Sequence, residues 1–176
     1  MERMTEHNCI ASRVERFATY EDPFHFIDSG LPNVYLIGIK YFVCEKCGAV
    51  VAEIPAMKQL MTVIARDLVE SNSSLTNDEV RFLRKRLGKK ASDFAKELGI
   101  TPDHLSRLEN DRLSIPEPLD KLIRLVYAVS AGDSQLLNSV MQMVQSWLLT
   151  WTKRTTQKVI MKKIDDNEWS NVALAA

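Results

Sequence analysis

The chain has no net charge: its 176 residues carry 23 Lys and Arg against 23 Asp and Glu, so the bulk balance does not point to nucleic acid. Cysteine is scarce, and three residues, an odd number, do not make a disulfide framework. They read as thiols or metal ligands in a reducing compartment. Histidine is equally sparse, and His7, His25 and His104 are scattered. No Ser/His/Asp set, paired-carboxylate arrangement or glycine-rich phosphate loop accompanies them, so the chain is not expected to be an enzyme. There is no internal repeat. Nor is there a long apolar run: Leu136 to Trp151 is interrupted by Asn138, Ser139, Gln142, Gln145 and Ser146 and is too polar to span a bilayer. Met1 to Glu6 has no apolar run behind it, so no signal peptide and no membrane are expected. The expectation is a cytoplasmic protein.

What is present is local. Residues 76–125 hold eleven basic and nine acidic residues, and Arg81, Arg84, Lys85, Arg86, Lys89 and Lys90 fall within ten positions that contain no acid. Residues 1–55 are rich in β-branched and aromatic residues. Val34–Ile39 with Tyr41–Val43, then Ala49–Ile54, read as strands joined by a cysteine-bearing turn into a hairpin. After Pro55, Leu60, Met61, Ile64 and Leu68 take helical spacing. Ser71-Asn72-Ser73-Ser74 is a polar break and the candidate linker. Four short helices are then expected: from the Thr76–Glu79 capping box to Gly88, from Lys90 to Gly99, from Thr101-Pro102 onward, and after Pro116 and Pro118. A fifth is expected from Ser134 to Trp151, and Val159-Ile160-Met161 reads as an edge strand.

The second and third of these helices carry the spacing of a helix-turn-helix. A tight crossing needs a small residue at the contact, a turn that tolerates a left-handed backbone, and an apolar anchor on the second helix. Ala95, Gly99 and Leu105 supply these in order, with Leu108 one turn on. The alternative is an ordinary helical hairpin in a bundle. The run Leu83–Gly88, Ala95–Ile100 and Ser106–Asn110 resembles the phage-repressor (Cro/C1, or XRE) family over about 50 residues. That resemblance implies that Thr101, Pro102, Asp103, Ser106 and Arg107 face base edges. It places Asn110 and the start of the preceding helix at phosphates, and pairs Arg84 with Glu109. The chain departs from the family pattern at Ala91, commonly Gln, and at Asp111, usually Gly.

The residues themselves point the same way. Lys89 and Lys90 crowd a helix N-terminus, where the dipole disfavours cations and a phosphate would neutralise both. The alternative is a pair of solvated loop lysines. Arg107 has the planar fork that fits guanine O6 and N7, and Asp103 is able to accept from a cytosine amine.

Cys44-Glu45-Lys46-Cys47-Gly48 between two strands reads as a zinc knuckle, with Cys9 as third ligand and His7 or His25 as fourth. The alternative is a degenerate site with buried thiols. The wider pattern runs from His25–Leu36 through Cys44-x2-Cys47-Gly48 and Ile54-Pro55 to Leu75-Thr76. It resembles the MqsA-type (YgiT-like) antitoxins over about residues 5–130. Such proteins join an N-terminal zinc-binding domain to a repressor-like domain, bind their own operator as dimers, and in many cases bind a cognate toxin. The chain departs from them where Cys9-Ile10-Ala11-Ser12 lacks the second cysteine of a pair, and where residues 131–176 run past the usual end.

The expected fold is therefore α+β. A small β-rich, zinc-ribbon-like N-terminal domain (1–70) precedes an all-α Cro/C1-type helix-turn-helix domain (76–130). A C-terminal extension (131–176) follows, in which Leu137, Val140, Val144, Trp147 and Trp151 form a dimerisation or core-docking stripe. The expected function is a homodimeric transcriptional regulator, an autorepressor that binds a double-stranded DNA operator. The alternative is an antitoxin or adaptor working mainly through its N-terminal domain. Elemental analysis of protein purified without added metal is expected to return about one zinc per chain. A folded, metal-free protein would support the degenerate site instead.

Overall fold

The computed structural model describes residues 13–110, 112–146, 159–165 and 168–172. They form β1 (Arg13–Phe17), β2 (Phe24–His25), β3 (Val34–Ile37), β4 (Lys40–Cys44), β5 (Val50–Glu53), α1 (Met57–Glu70) and α2 (Asn77–Arg86). Then come α3 (Ala91–Glu97), α4 (Pro102–Glu109), α5 (Glu117–Ala131), α6 (Ser134–Ser146), β6 (Val159–Asp165) and β7 (Glu168–Val172). The described residues are thus a mixed α+β structure.

Two sheets divide the strands. One has the order β1-β4-β5 and is antiparallel throughout; the other has the order β2-β3-β6-β7. The expected cysteine-bearing hairpin is β4–β5, closed by Cys44 N–H to the Ala49 carbonyl at 2.9 Å and Gly48 N–H to the Cys44 carbonyl at 2.8 Å. The Val34–Val43 run does not stay in one sheet. Gly38 takes φ +79°, a left-handed conformation that glycine adopts without penalty, and turns the chain from the four-stranded sheet into the three-stranded one.

β6 pairs in parallel with β3, Val34 opposite Val159 and Leu36 opposite Met161, and β7 pairs antiparallel with β6. The segment read as an edge strand is therefore an interior one, and β7 takes the edge. Ile160 and Met161 are buried accordingly, and the Trp169 indole is buried with its N–H donating to the Pro55 carbonyl at 3.1 Å.

The core is continuous. Leu36, Ile39 and Tyr41 from the sheets pack with Leu60, Ile64 and Leu68 of α1, and the cluster runs on through Val80, Leu83, Phe94, Leu105 and Ile123. On α6, Leu136 and Val140 are buried and Leu137 and Val144 half-buried, docking the helix on α5 and α1. Trp147 and Trp151 lie outside the described residues. Among those described, no helix is long and apolar enough to cross a membrane.

The polar segment Ser71–Ser74, read as a linker, is a fixed connection. Its carbonyls and those ending α1 converge on the guanidinium of Arg124, which is wholly buried in α5. The last carbonyls of a helix have no partner within it, and a cation there also suits the helix dipole. Arg124 donates to the carbonyls of Leu68 at 2.7 Å, Val69 at 2.9 Å and Ser71 at 2.7 Å, and to that of Ser73. Its Nε donates to Asp120 Oδ1 at 2.6 Å, while Asp120 Oδ2 accepts from the Leu75 N–H. Arg124→Met leaves Asp120 as a buried charge without its guanidinium and strips partners from these carbonyls. A loss of about 3–5 kcal/mol is expected, read as a lower urea midpoint. An unchanged midpoint would show that the clamp contributes nothing net.

Candidate nucleic-acid interface

α2 begins as its sequence dictates. The Thr76 side chain accepts from the Glu79 N–H at 3.3 Å, and Glu79 Oε2 accepts from the Thr76 N–H at 2.8 Å, completing the capping box. α3 and α4 cross through the turn at Gly99, whose φ is +66°. A Cβ there would meet nothing within 4 Å, so the requirement is for the backbone angle and not for space. Phe94, Ala95, Leu98, Leu105 and Leu108 are all buried around the crossing. Thr101 caps α4 by accepting from the His104 N–H at 3.2 Å, with Pro102 in the first turn. Asn77 Nδ2 donates to the carbonyls of Leu108 and, at 2.9 Å, Leu113, tying the exit of α4 to the start of α2.

The expected Arg84–Glu109 pair is present and bidentate, Nε to Oε1 at 2.6 Å and NH2 to Oε2 at 2.8 Å, with both side chains largely buried. The hydrogen bond to Glu109 raises the Arg84 pKa above its ordinary value, so the guanidinium is charged at any physiological pH. Its NH1 holds the Lys89 carbonyl at 2.9 Å. One side chain thus joins α2, α4 and the α2–α3 turn.

With Leu105 and Leu108 turned inward, Thr101, Pro102, Asp103, Ser106, Arg107 and Asn110 lie exposed on the outer side of α4. Two contacts organise this face. Arg107 NH2 reaches Asp103 Oδ2 at 2.9 Å. Asn110 Nδ2 donates to the Ser106 carbonyl at 2.7 Å, and its Oδ1 accepts from Arg81 NH2 at 3.2 Å. Arg81, which also reaches Asp78 at 3.4 Å, is the cation that sequence reasoning left out of the site. The signal was there, since the position three before Arg84 lies on the same side of α2.

The basic cluster does not act as one surface. Lys89, expected at a phosphate, turns across α3 and donates to Glu97 at 2.5 Å and to Ser130 on α5 at 2.9 Å. The grip of Arg84 on its carbonyl and the left-handed Gly88 before it, at φ +65°, aim the side chain that way. Arg86 faces α1, donating to Thr62 Oγ1 at 3.3 Å, and lies beside Tyr127. Burial pushes the Tyr127 phenol above its ordinary pKa, against the opposing pull of Arg86. Lys85 and Lys90 remain exposed.

Of the expected zinc ligands, Cys44 is buried at the end of β4 and Cys47 exposed in the turn that follows. His25 lies in the other sheet, stacked on Tyr35 with centroids 4.5 Å apart, and its Nε2–H donates to the Pro32 carbonyl at 2.8 Å. Cys9 and His7 lie outside the described residues. Among the described residues no three His, Cys, Asp or Glu side chains gather to hold a metal, and two thiols on one turn are half of a tetrahedral set.

Residues 80–120 match the family model described as helix-turn-helix, of the XRE type; the match runs from α2 into the first turn of α5. No curated protein and no solved structure matches the chain. The chain carries a helix-turn-helix.

Glu109→Ala would strand Arg84 in a largely dry site while leaving it the Lys89 carbonyl. A loss of about 3 kcal/mol is expected, the low end for a buried pair. Chemical denaturation checks it, and an unmoved midpoint would mean that solvent screens the pair.

Proposed function

We propose that the chain is a sequence-specific double-stranded-DNA-binding transcriptional regulator, acting as a homodimeric autorepressor of the MqsA-antitoxin type in the cytoplasm. The observation that carries this reading is the division of α4. Leu105 and Leu108 are wholly buried, while Asp103, Ser106, Arg107 and Asn110 face solvent on a helix held by its N-cap and by Glu109. A helix so divided fits the major groove, which admits an α-helix and exposes a distinct donor and acceptor pattern for each base pair. In this reading Arg107 meets a guanine, Thr101, Pro102 and Ser106 line the approach to neighbouring bases, and Lys90, Arg81 and Asn110 meet phosphates.

A second reading, an antitoxin or adaptor binding a protein partner through its N-terminal sheets, is favoured by one observation. Every residue of β1 is exposed, and Phe17, Tyr20 and Ile27 are more than half exposed, at 56%, 55% and 68%. The two readings are compatible within one chain.

The test is a salt titration against a duplex selected from random sequence and a scrambled duplex. Lys90→Ala is expected to weaken both alike and to make the log–log salt dependence shallower by about 0.9. Arg107→Ala is expected to lose about 1–3 kcal/mol on the selected duplex alone and to relax selection at one base pair per half-site. In a dimer those base pairs recur about 10–10.5 base pairs apart. Equal losses on both duplexes for Arg107→Ala would remove α4 as the reading element. No binding by the wild type at low salt would leave the adaptor reading in its place.

A further inference from the structure

Asp103 is an odd residue to find on a surface meant for a polyanion. Its side chain is 71% exposed and that of Arg107 56% exposed, yet the two are joined, Arg107 NH2 to Asp103 Oδ2, at 2.9 Å across one turn of α4. An exposed pair of this kind contributes little to stability, because water screens it and two side chains lose freedom to make it. A carboxylate near phosphates would also lower affinity for every duplex. As the acid in the first turn of α4, Asp103 suits the helix dipole, which accounts for a carboxylate there but not for its tie to Arg107, and general affinity for DNA leaves it unexplained.

The geometry of the guanidinium supplies the reason. NH2 carries two hydrogens, one on the edge shared with Nε and one on the edge shared with NH1. Asp103 takes one of them. Whichever it takes, the opposite edge keeps both donors, and two parallel donors are what guanine O6 and N7 accept. An arginine alone on a helix surface has long, freely rotating bonds and bends readily toward the nearest phosphate. Drawn toward a residue four positions back, its fork is biased to the outer side of α4 and has less rotamer freedom left to lose on binding. The neighbouring contact runs differently: Asn110 is held by the Ser106 carbonyl and by Arg81, so it does not compete for Asp103.

We propose that Asp103 is a positioning residue that makes Arg107 a guanine reader and not a phosphate contact, trading general affinity for discrimination. The inference rests on the reading of α4 as the base-reading helix. It also replaces the separate role expected for Asp103, acceptance from a cytosine amine, with a role exercised through Arg107.

The test measures affinity for the selected and scrambled duplexes, and the base preference at each position, for wild type, Asp103→Ala, Asp103→Asn, Arg107→Ala and the double variant. Asp103→Ala is expected to bind scrambled duplex more tightly and to lower the ratio of selected to scrambled affinity by about threefold to tenfold, a part of what a full bidentate base contact supplies. The lost preference should fall at the base pair that Arg107→Ala relaxes. Asp103→Asn, with an acceptor but no charge, should lie between Asp103→Ala and wild type. In the Arg107→Ala background, removing Asp103 should leave the ratio unchanged, since a residue acting only through another has nothing left to act on. Asp103→Ala is also expected to lower the melting temperature slightly through the first turn of α4, but a merely structural role would not move base preference at one position. Loss of preference at a different base pair, or an equal loss in both backgrounds, would show that Asp103 reads a base itself and would overturn the proposal. So would an unchanged ratio in Asp103→Ala while the wild type still discriminates. A wild type that binds no duplex at low salt would instead remove the reading of α4 on which the proposal stands.

Discussion

Arg124 has no water to fall back on, so each donor of its guanidinium must find an acceptor inside the protein. It finds them in the carbonyls that end α1, in those of the polar segment beyond, and in Asp120 on its own helix. These acceptors belong to the stretch that joins the sheets to the helix-turn-helix. Any rotation of one part against the other would pull carbonyls away from a buried charge, which is among the most unfavourable changes a protein interior can suffer. Asp120 adds the Leu75 N–H to the same node, one residue before the capping box that starts α2. The position of α2, and through Arg84 and Glu109 that of α4, follows from this constraint.

The basic residues between positions 81 and 90 illustrate how little a charge run says by itself. Arg84, Arg86 and Lys89 are spent within the protein, on Glu109, Thr62, and Glu97 with Ser130. Arg84 fixes α2 to α4, Arg86 fixes it to α1, and Lys89 fixes the turn after α2 to α3 and α5. Lys85 and Lys90 stay in solvent, and Arg81 bridges to Asn110 at the rim of α4. Half of an apparent electrostatic footprint is thus scaffolding, and the part left outward is spread over α2 and the start of α3.

The sequence was most readable where its signals are local. Thr76 and Glu79, Thr101 with Pro102, and the glycines at 88 and 99 each act within a few residues of themselves, and the helices begin and end where these residues direct. The pairing of Arg84 with Glu109 was legible only through resemblance, because nothing in their spacing brings α2 against α4. What could not be read depends on partners far along the chain. Val159–Asp165 has β-branched and apolar residues but no clean alternation, and its place between β3 and β7 depends on β3, which precedes all six described α-helices. Likewise Asp120 and Arg124 have the spacing of an ordinary exposed helix pair. Only the carbonyls of residues 68 to 73 make it a buried one. The contacts of Lys89 were illegible for the same reason, since Glu97 and Ser130 lie on two other helices.

The parallel pairing of β3 with β6 has a consequence for how the molecule comes into being. During synthesis, α2 to α5 follow one another closely, and their mutual contacts can form as soon as they leave the ribosome. β3 must wait for Val159–Asp165, made only after the six described α-helices. Until then one edge of β3 offers bare N–H and C=O groups to any passing strand, its own late partner or a stranger's. The nascent chain therefore carries a finished helix-turn-helix beside an unfinished sheet, and its exposure to misassembly ends only when the last strands arrive.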